Sequence, residues 1–481
     1  MNSPRLYLGS TRAQQPVELY LPMANRHGLI TGATGTGKTV TLQRLAEGFS
    51  RAGTPVFVAD AKGDLSGLAA AAGTSGKVSE RLALLSYSHY QPRAVPTLLW
   101  DLFGESGHPV RASLSELGPL LLANTMALND TQTSLLYACY RIADDEGLLL
   151  LDLKDLRALL GWVMENGKAL GPRYGHLPAN SLATIQRRLL VLEQEGAEHF
   201  FGEPSLQLPD LMQREFSGQG VVSILDARRL MQRPRLYASL LLWLLSELFE
   251  NLPERGDGER PELVFFFDEA HLLFDTAPRV LLDKVEQLVR LIRSKGVGVY
   301  FITQSPQDIP EPVLGQLGNR IQHALRAFTP KDEQAVRTAA RTFRPNPAFD
   351  TQAAITRLGV GEALISVLDE KGSPTMVQHT LICPPESRIG PLSADERRLR
   401  LQQSPLAGRY EQSLDRDSAF EMLARRLAAT PAETAPQAPA PARRQADSLL
   451  ESMAKSALRS MSSQLGQRLA RGLLGSLLGG K

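Results

Sequence analysis

Gly32-Ala33-Thr34-Gly35-Thr36-Gly37-Lys38-Thr39 fits G-x-x-x-x-G-K-[ST] at every fixed position. An apolar run ending in Leu29-Ile30 leads into it, and Val40, Leu42, Leu45 and Phe49 follow at helical spacing. Strand, glycine-rich turn and helix, in that order, make a cradle for phosphate. Glycines let backbone N–H groups curl around phosphate oxygens, and the helix N-terminus adds partial positive charge. On this reading Gly32, Thr34, Gly35, Thr36, Gly37, Lys38, Thr39 and Val40 bind a nucleoside triphosphate. Lys38 reaches the β- and γ-phosphates, and the Thr39 hydroxyl ligates Mg²⁺. The competing reading is a Gly/Thr-rich turn that matches by chance, and it leaves the flanking strand and helix unexplained.

The rest of the chain alternates apolar β-rich runs with helical patterns, which predicts an α/β fold with a mainly parallel sheet. Short strands are expected over 5–9 and 17–21, then Pro55–Asp60, Gly220–Asp226, Leu263–Glu269, Gly298–Gln304 and Arg320–Phe328. A hairpin of Glu362–Leu368 with Thr375–Ile382 closes the series. Between about 106 and 218 the spacing turns helical, with Asp152 placed as a helix cap and Arg187 and Arg188 on the polar side of another helix. The expected division is therefore 1–105 and 219–385 for the two halves of the core, and 106–218 for a helical insertion. A charged helical extension follows over 386–429, an Ala/Pro linker over 430–446 and a basic amphipathic helix over 447–481.

Two carboxylates end the strand Leu263-Val264-Phe265-Phe266-Phe267-Asp268-Glu269. Asp268 is placed to hold Mg²⁺ through its water shell. Side chains alternate along a strand, so Glu269 points elsewhere and is placed to deprotonate an attacking water. Gln304 ends another buried run, where its amide can bond both that water and the γ-phosphate; a strand-end Gln bonded to backbone is the bland alternative. Asp60-Ala61-Lys62-Gly63-Asp64 falls at the carboxyl end of a strand, where open α/β sheets bind ligands, although a solvated loop also fits. Arg290, Arg293, Arg320 and Arg326 have no task at the chain's own nucleotide. One of them, Arg320 first, is a candidate to complete a neighbouring subunit's site.

Composition narrows the setting without naming a partner. The 481 residues are 43% hydrophobic and 22% charged with a net charge of +2, so a nucleic-acid site has to come from local patches. Two cysteines, Cys139 and Cys383, lie far apart without metal-ligand spacing, which fits a reducing compartment. Met1-Asn2-Ser3-Pro4-Arg5 lacks an apolar signal core, and the expected localisation is cytoplasmic. The last forty residues carry seven Lys/Arg against two acids, so the tail helix docks on a subunit of its own kind, or else touches a membrane surface or nucleic acid.

These motifs, taken in order, resemble the HerA/FtsK superfamily of hexameric P-loop ATPases, and most of all its HerA-like YjgR branch. The likeness rests on Gly32–Thr39, Asp60–Asp64, Phe265–Glu269 with Ala270-His271, Gly298–Gln304, Asn319-Arg320-Ile321 and Val360–Leu364, and spans roughly 5–385. Leu148–Leu156 matches the YjgR-like branch in particular. The resemblance implies a RecA-like core, ATP and Mg²⁺ as cofactors, a hexameric ring that pumps double-stranded DNA, and Arg320 as the arginine acting in trans. The family's β-barrel has no room in the thirty or so residues before the loop, which argues against a nuclease partner. The expected activity is thus that of an ATP-hydrolysing DNA translocase. The alternatives are an ATP-dependent assembly protein and a protein-translocating, secretion-type ATPase.

Overall fold

The computed structural model describes residues 4–429 apart from 74, 75, 86 and 88. The expected Ala/Pro linker and basic tail helix lie outside the described residues. The chain divides into two compact units. One comprises the residues up to Val110 together with Leu206–Glu411; the other comprises Arg111–Ser205 together with the segment from Gln412 onward.

The first unit is built on a twelve-stranded sheet. Its strands are β1 (Arg5–Thr11), β2 (Pro16–Tyr20), β3 (Gly28–Thr31), β4 (Val56–Asp60), β5 (Thr97–Asp101) and β6 (His108–Pro109). β7 (Val222–Asp226), β8 (Leu263–Phe267), β9 (Val297–Thr303), β10 (Asn319–Gln322), β11 (Glu362–Ser366) and β12 (Gln378–Ile382) complete it. The order across the sheet is β2-β1-β12-β11-β10-β3-β9-β8-β4-β7-β5-β6. From β10 to β6 all neighbours are parallel. From β10 back to β2 they are antiparallel. The 362–368 and 375–382 runs pair as the expected hairpin.

A parallel strand in the middle of such a sheet is covered on both faces, and β8 shows why its five residues are all apolar. Phe266 packs on one face against Phe49 of the helix Lys38–Arg51 and against Tyr300, with ring centroids 6.2 and 5.2 Å apart. Phe265 and Phe267 turn to the other face and meet Phe57 and Phe301 at 5.0 and 5.5 Å. Anchoring both faces fixes where β8 ends, and so where Asp268 and Glu269 emerge.

Two strand assignments differ from expectation. The run expected over Arg320–Phe328 stops pairing as a strand at Gln322. The Ala324 carbonyl takes the Ala33 amide, and the chain then leaves for a helix over Pro330–Arg341 capped by Thr329. β5 has only Leu98-Leu99-Trp100 as apolar signal, after a Pro-containing stretch, so it does not stand out in the sequence.

The second unit is helical: Leu114–Thr125, Asp130–Asp145, Leu153–Tyr174, Ala179–Gln194 and Ala419–Ala429. Ser113, Asn129 and Asp152 each cap a helix with a reciprocal bond from the third helical residue. Such caps are worth about 1 kcal/mol apiece. Arg187 and Arg188 are exposed. The boundary drawn from the sequence at about 386 differs from the structure. The helix Ala394–Gln402 belongs to the first unit, whereas Ala419–Ala429 joins the helical one, where the Phe420 amide donates to Asp155 at 2.9 Å. Asp155 is fully buried and holds the amides of Leu151 and Asp152 as well, so one side chain ties a helix start to a segment over 260 residues away. No helix of the described residues is long and apolar enough to cross a membrane.

Candidate active site

Strand order decides which residues share the carboxyl edge of the sheet. β3 delivers the glycine-rich loop, β9 lies beside it, β8 comes next and β4 after that. The segments that leave these four adjacent strands carry Lys38, Gln304, Asp268-Glu269 and Lys62. With strands ~4.8 Å apart, they lie side by side along that edge.

The loop is held from behind. Gly37 sits at φ 114° and Gly32 at φ 148°, and a Cβ on Gly32 would lie 2.5 Å from the His323 Cβ. Only glycine fits there. His323 is fully buried; its Nδ1–H donates to the Glu362 carbonyl at 2.9 Å, which leaves Nε2 to accept from the Thr41 hydroxyl at 2.9 Å. Burial holds this ring neutral, with a pKa lowered to about 4. The Gly361 amide bonds the Thr36 carbonyl at 3.0 Å, and the Ala33 amide bonds the Ala324 carbonyl at 2.8 Å. Thr34 and Gly35 are exposed at the tip of the loop, while Thr39 and Val40 are half-buried in the first turn of the helix. Lys38 is buried, and its ammonium donates to the Gly32 and Ala33 carbonyls at 2.6 and 3.1 Å. Burial lowers its pKa, against the pull of Glu269.

The acidic pair faces the loop. Asp268 is 2% exposed and its Oδ2 is buried without a hydrogen-bond partner among the described residues. Burial raises its pKa to about 7. A buried, orphaned carboxylate oxygen fits a cation, and the half-buried Thr39 hydroxyl supplies a second oxygen donor of the type Mg²⁺ takes. Glu269 adopts φ 49°, ψ 47°, a left-handed conformation that costs a non-glycine residue ~1 kcal/mol or more. Its Oε1 lies 2.6 Å from the Lys62 Nζ. Burial pushes the Glu269 carboxyl up, but Lys62 outweighs it and the pKa falls below the ordinary value. Gln304 is exposed just past β9, and on either side of it the Thr303 hydroxyl and the Ser305 amide both donate to Asp308.

Arg320 lies on β10. Its guanidinium points into its own chain, where Nε, Nη1 and Nη2 donate to the Leu317, Thr342 and Leu314 carbonyls at 3.0, 3.3 and 3.1 Å. It straps β10 to the flanking turns instead of reaching out. Of the other arginines, Arg290 and Arg326 are exposed and Arg293 lies 3.9 Å from Asp257.

Two residues gain a place in the site from the structure alone. Lys62 lies in the Asp60–Asp64 cluster, but only the β4–β8 pairing puts it on Glu269. His323 occurs in an unremarkable strand sequence; no local signal marks it, because its partners Thr41 and Glu362 are remote in sequence.

A mainly parallel sheet that carries a phosphate loop beside one strand and an acidic pair two strands away is the core of a RecA-like P-loop NTPase. The chain belongs to the helicase HerA-like C-terminal family, whose model matches residues 5–449. The DNA double-strand break repair helicase HerA of Sulfolobus acidocaldarius is 27% identical to it over 131 residues, which are 27% of this chain and 25% of that protein. The match thus spans about a quarter of that relative's length. Among solved structures, the unbound bacterial conjugative coupling protein TrwB aligns with a TM-score of 0.52 at 13% identity, over 80% of this chain and 91% of that one. VirB4 of Thermoanaerobacter pseudethanolicus aligns with a TM-score of 0.51 at 14% identity, over 83% and 99%. TrwB in complex with ADP and Mg²⁺ aligns with a TM-score of 0.52 at 14% identity, over 80% and 96%. At these identities the likeness is one of fold.

Proposed function

We propose that this chain is a Mg²⁺-dependent ATPase that drives a homo-oligomeric, hexameric motor along duplex DNA. The observation that carries the reading is the pairing of a Lys38 loop with a buried Asp268 and a strained Glu269 on one sheet edge. In this reading the loop amides and Lys38 bind the phosphates. Thr39 and Asp268 hold Mg²⁺, which when bound neutralises phosphate charge. Glu269 takes a proton from water as the water oxygen bonds to the γ-phosphorus. The bond from that phosphorus to the β–γ bridging oxygen breaks, and ADP and phosphate result. Gln304, on the strand between loop and acids, orients the water. The complex of TrwB with ADP and Mg²⁺, on a similar fold, supports the choice of ligands. The HerA relative, named a DNA double-strand break repair helicase, supports the choice of DNA.

The test is ATP turnover with and without duplex DNA, together with mass measurement of the Glu269→Gln protein with ATP. The reading expects DNA-stimulated hydrolysis and a ring-sized particle. Turnover indifferent to DNA would turn the assignment to the assembly or protein-translocating alternative, and a monomer under every condition would remove the ring.

A further inference from the structure

Among the described residues, Lys62 is the lysine that the sheet brings onto the Glu269 carboxylate, and its own loop holds it there. Asp60, buried at the end of β4, takes the backbone amides of Lys62, Gly63 and Leu65 at 3.2, 2.7 and 3.0 Å. Those three bonds wind the loop tightly enough that Lys62 crosses to the neighbouring strand end. The pairing of Ala59 with Phe267 sets the two strand ends level, and the Asp268 amide bonds the Ala59 carbonyl at 3.3 Å. The Lys62–Glu269 ion pair then closes at 2.6 Å, with the Glu269 side chain 9% exposed and the Lys62 side chain 37% exposed. Glu269 Oε2 has His271 Nδ1 at 3.2 Å, without the orientation of a hydrogen bond. The ion pair is therefore the strong bond that Glu269 makes here. Lys62 also lies near enough to Lys38 for its charge to disfavour that of Lys38.

We propose that Lys62 is a triphosphate-sensing residue that exchanges partners: it pairs with Glu269 in the structure seen here and with the γ-phosphate when a triphosphate binds. The exchange rests on the ATPase reading above. While paired, Glu269 Oε1 is held against an ammonium that disfavours its taking a proton. A γ-phosphate offers Lys62 a doubly charged partner, which frees Glu269 for its water only when there is a phosphate to remove. A diphosphate has no such group, so Lys62 returns to Glu269 after hydrolysis. Lys62 thereby positions the general base and separates ATP from ADP. No new covalent step is involved.

The experiment is equilibrium binding of ADP and of a non-hydrolysable ATP analogue, with Mg²⁺, to full-length protein. Four forms are compared: wild type, Lys62→Ala, Glu269→Gln and the double variant. Lys62→Ala is expected to weaken the analogue roughly 10-fold, within the range of a charge-assisted bond, and to leave ADP within about 2-fold. Glu269→Gln is expected to tighten the analogue by releasing Lys62, and that gain disappears in the double variant. Lys62→Arg is expected to restore the analogue-over-ADP preference, and unchanged ADP affinity certifies the folded site in each form. If Glu269→Gln tightens the analogue as much without Lys62 as with it, simple charge repulsion is the cause and the exchange is wrong. Equal losses for ADP and analogue in Lys62→Ala would also overturn it. In either case nucleotide binding by the wild-type protein persists and the ATPase reading stands. A wild-type protein that binds neither nucleotide overturns both.

Discussion

The Thr41 hydroxyl donates to His323 Nε2 at 2.9 Å, so the helix that follows the phosphate loop is bolted to the residue just past β10. His323 has a fixed tautomer, because its Nδ1 must donate to the Glu362 carbonyl. Replacing it by Ala removes both bonds and leaves buried polar groups, at about 1–3 kcal/mol for each. Stability in urea is expected to fall by that order. Nucleotide affinity is expected to fall about 10-fold, as a loosened loop must be reordered on binding. An affinity unchanged in a correctly folded His323→Ala protein would show that the loop holds its shape without the ring.

Two buried histidines make stability depend on pH. His27 donates from Nε2 to the Val289 carbonyl at 2.7 Å and accepts the Val299 amide at Nδ1. Burial lowers its pKa to about 4, as it does for His323. An unfolded imidazole takes its proton near pH ~6.5. Between those values the unfolded chain binds more protons. The contribution is thus whole above the unfolded pKa and is lost as pH falls toward about 4. Asp60, raised to about 6 by burial, has the opposite sign, since its folded form keeps the proton longer. Comparison with His27→Gln separates the two. Unfolding free energies at about pH 7 and pH 4.5 should show wild type losing roughly 2–3 kcal/mol more than the variant.

Arg320 is expected to behave as a structural strap. Arg320→Ala uncovers three backbone carbonyls and is expected to cost about 2–3 kcal/mol in chemical unfolding. Its activity per folded molecule should stay within about 3-fold of wild type, far from the ~10³ or greater loss of a transition-state arginine. Mixing it with Lys38→Ala subunits distinguishes the roles: rescue of turnover in the mixture would place Arg320 in a neighbour's site after all.

The Asp60 carboxylate organises its loop by accepting three amides. Asp60→Ala should free the 61–64 loop, and hydrogen exchange at the amides of Gly63 and Leu65 should speed up by about 10-fold or more. Amide protection that survives the substitution would mean that packing, and not Asp60, shapes the loop.

How much of this was legible in the sequence varies with the range of the physical signal. Local chemistry was legible. The Gly32–Thr39 pattern, the all-apolar run of β8 and the Asp152 cap each involve residues within one turn or strand, and each lies in the element predicted for it. The two acids do not: β8 stops at Phe267, and Glu269 turns left-handed to cap the helix that follows, so its direction comes from that turn and not from strand alternation. β5 was not legible, because three apolar residues do not distinguish a buried strand from a buried turn. The strand expected over Arg320–Phe328 is shorter because pairing with β3 stops after Gln322, a limit set by the partner strand and not by the run's own composition.

The sequence by itself determined that a phosphate-loop pattern and an apolar run ending in two adjacent carboxylates exist in one chain, since each is a short-range pattern of residue types. Only the tertiary structure decided which groups meet. Strand order, which no local pattern encodes, put β9 between the loop and the acids and set β4 against β8. That order turned Lys62 toward Glu269 and His323 under the loop. It also turned Arg320 inward onto its own carbonyls, because the unpaired backbone of the turns around β10 needs donors and the guanidinium supplies them.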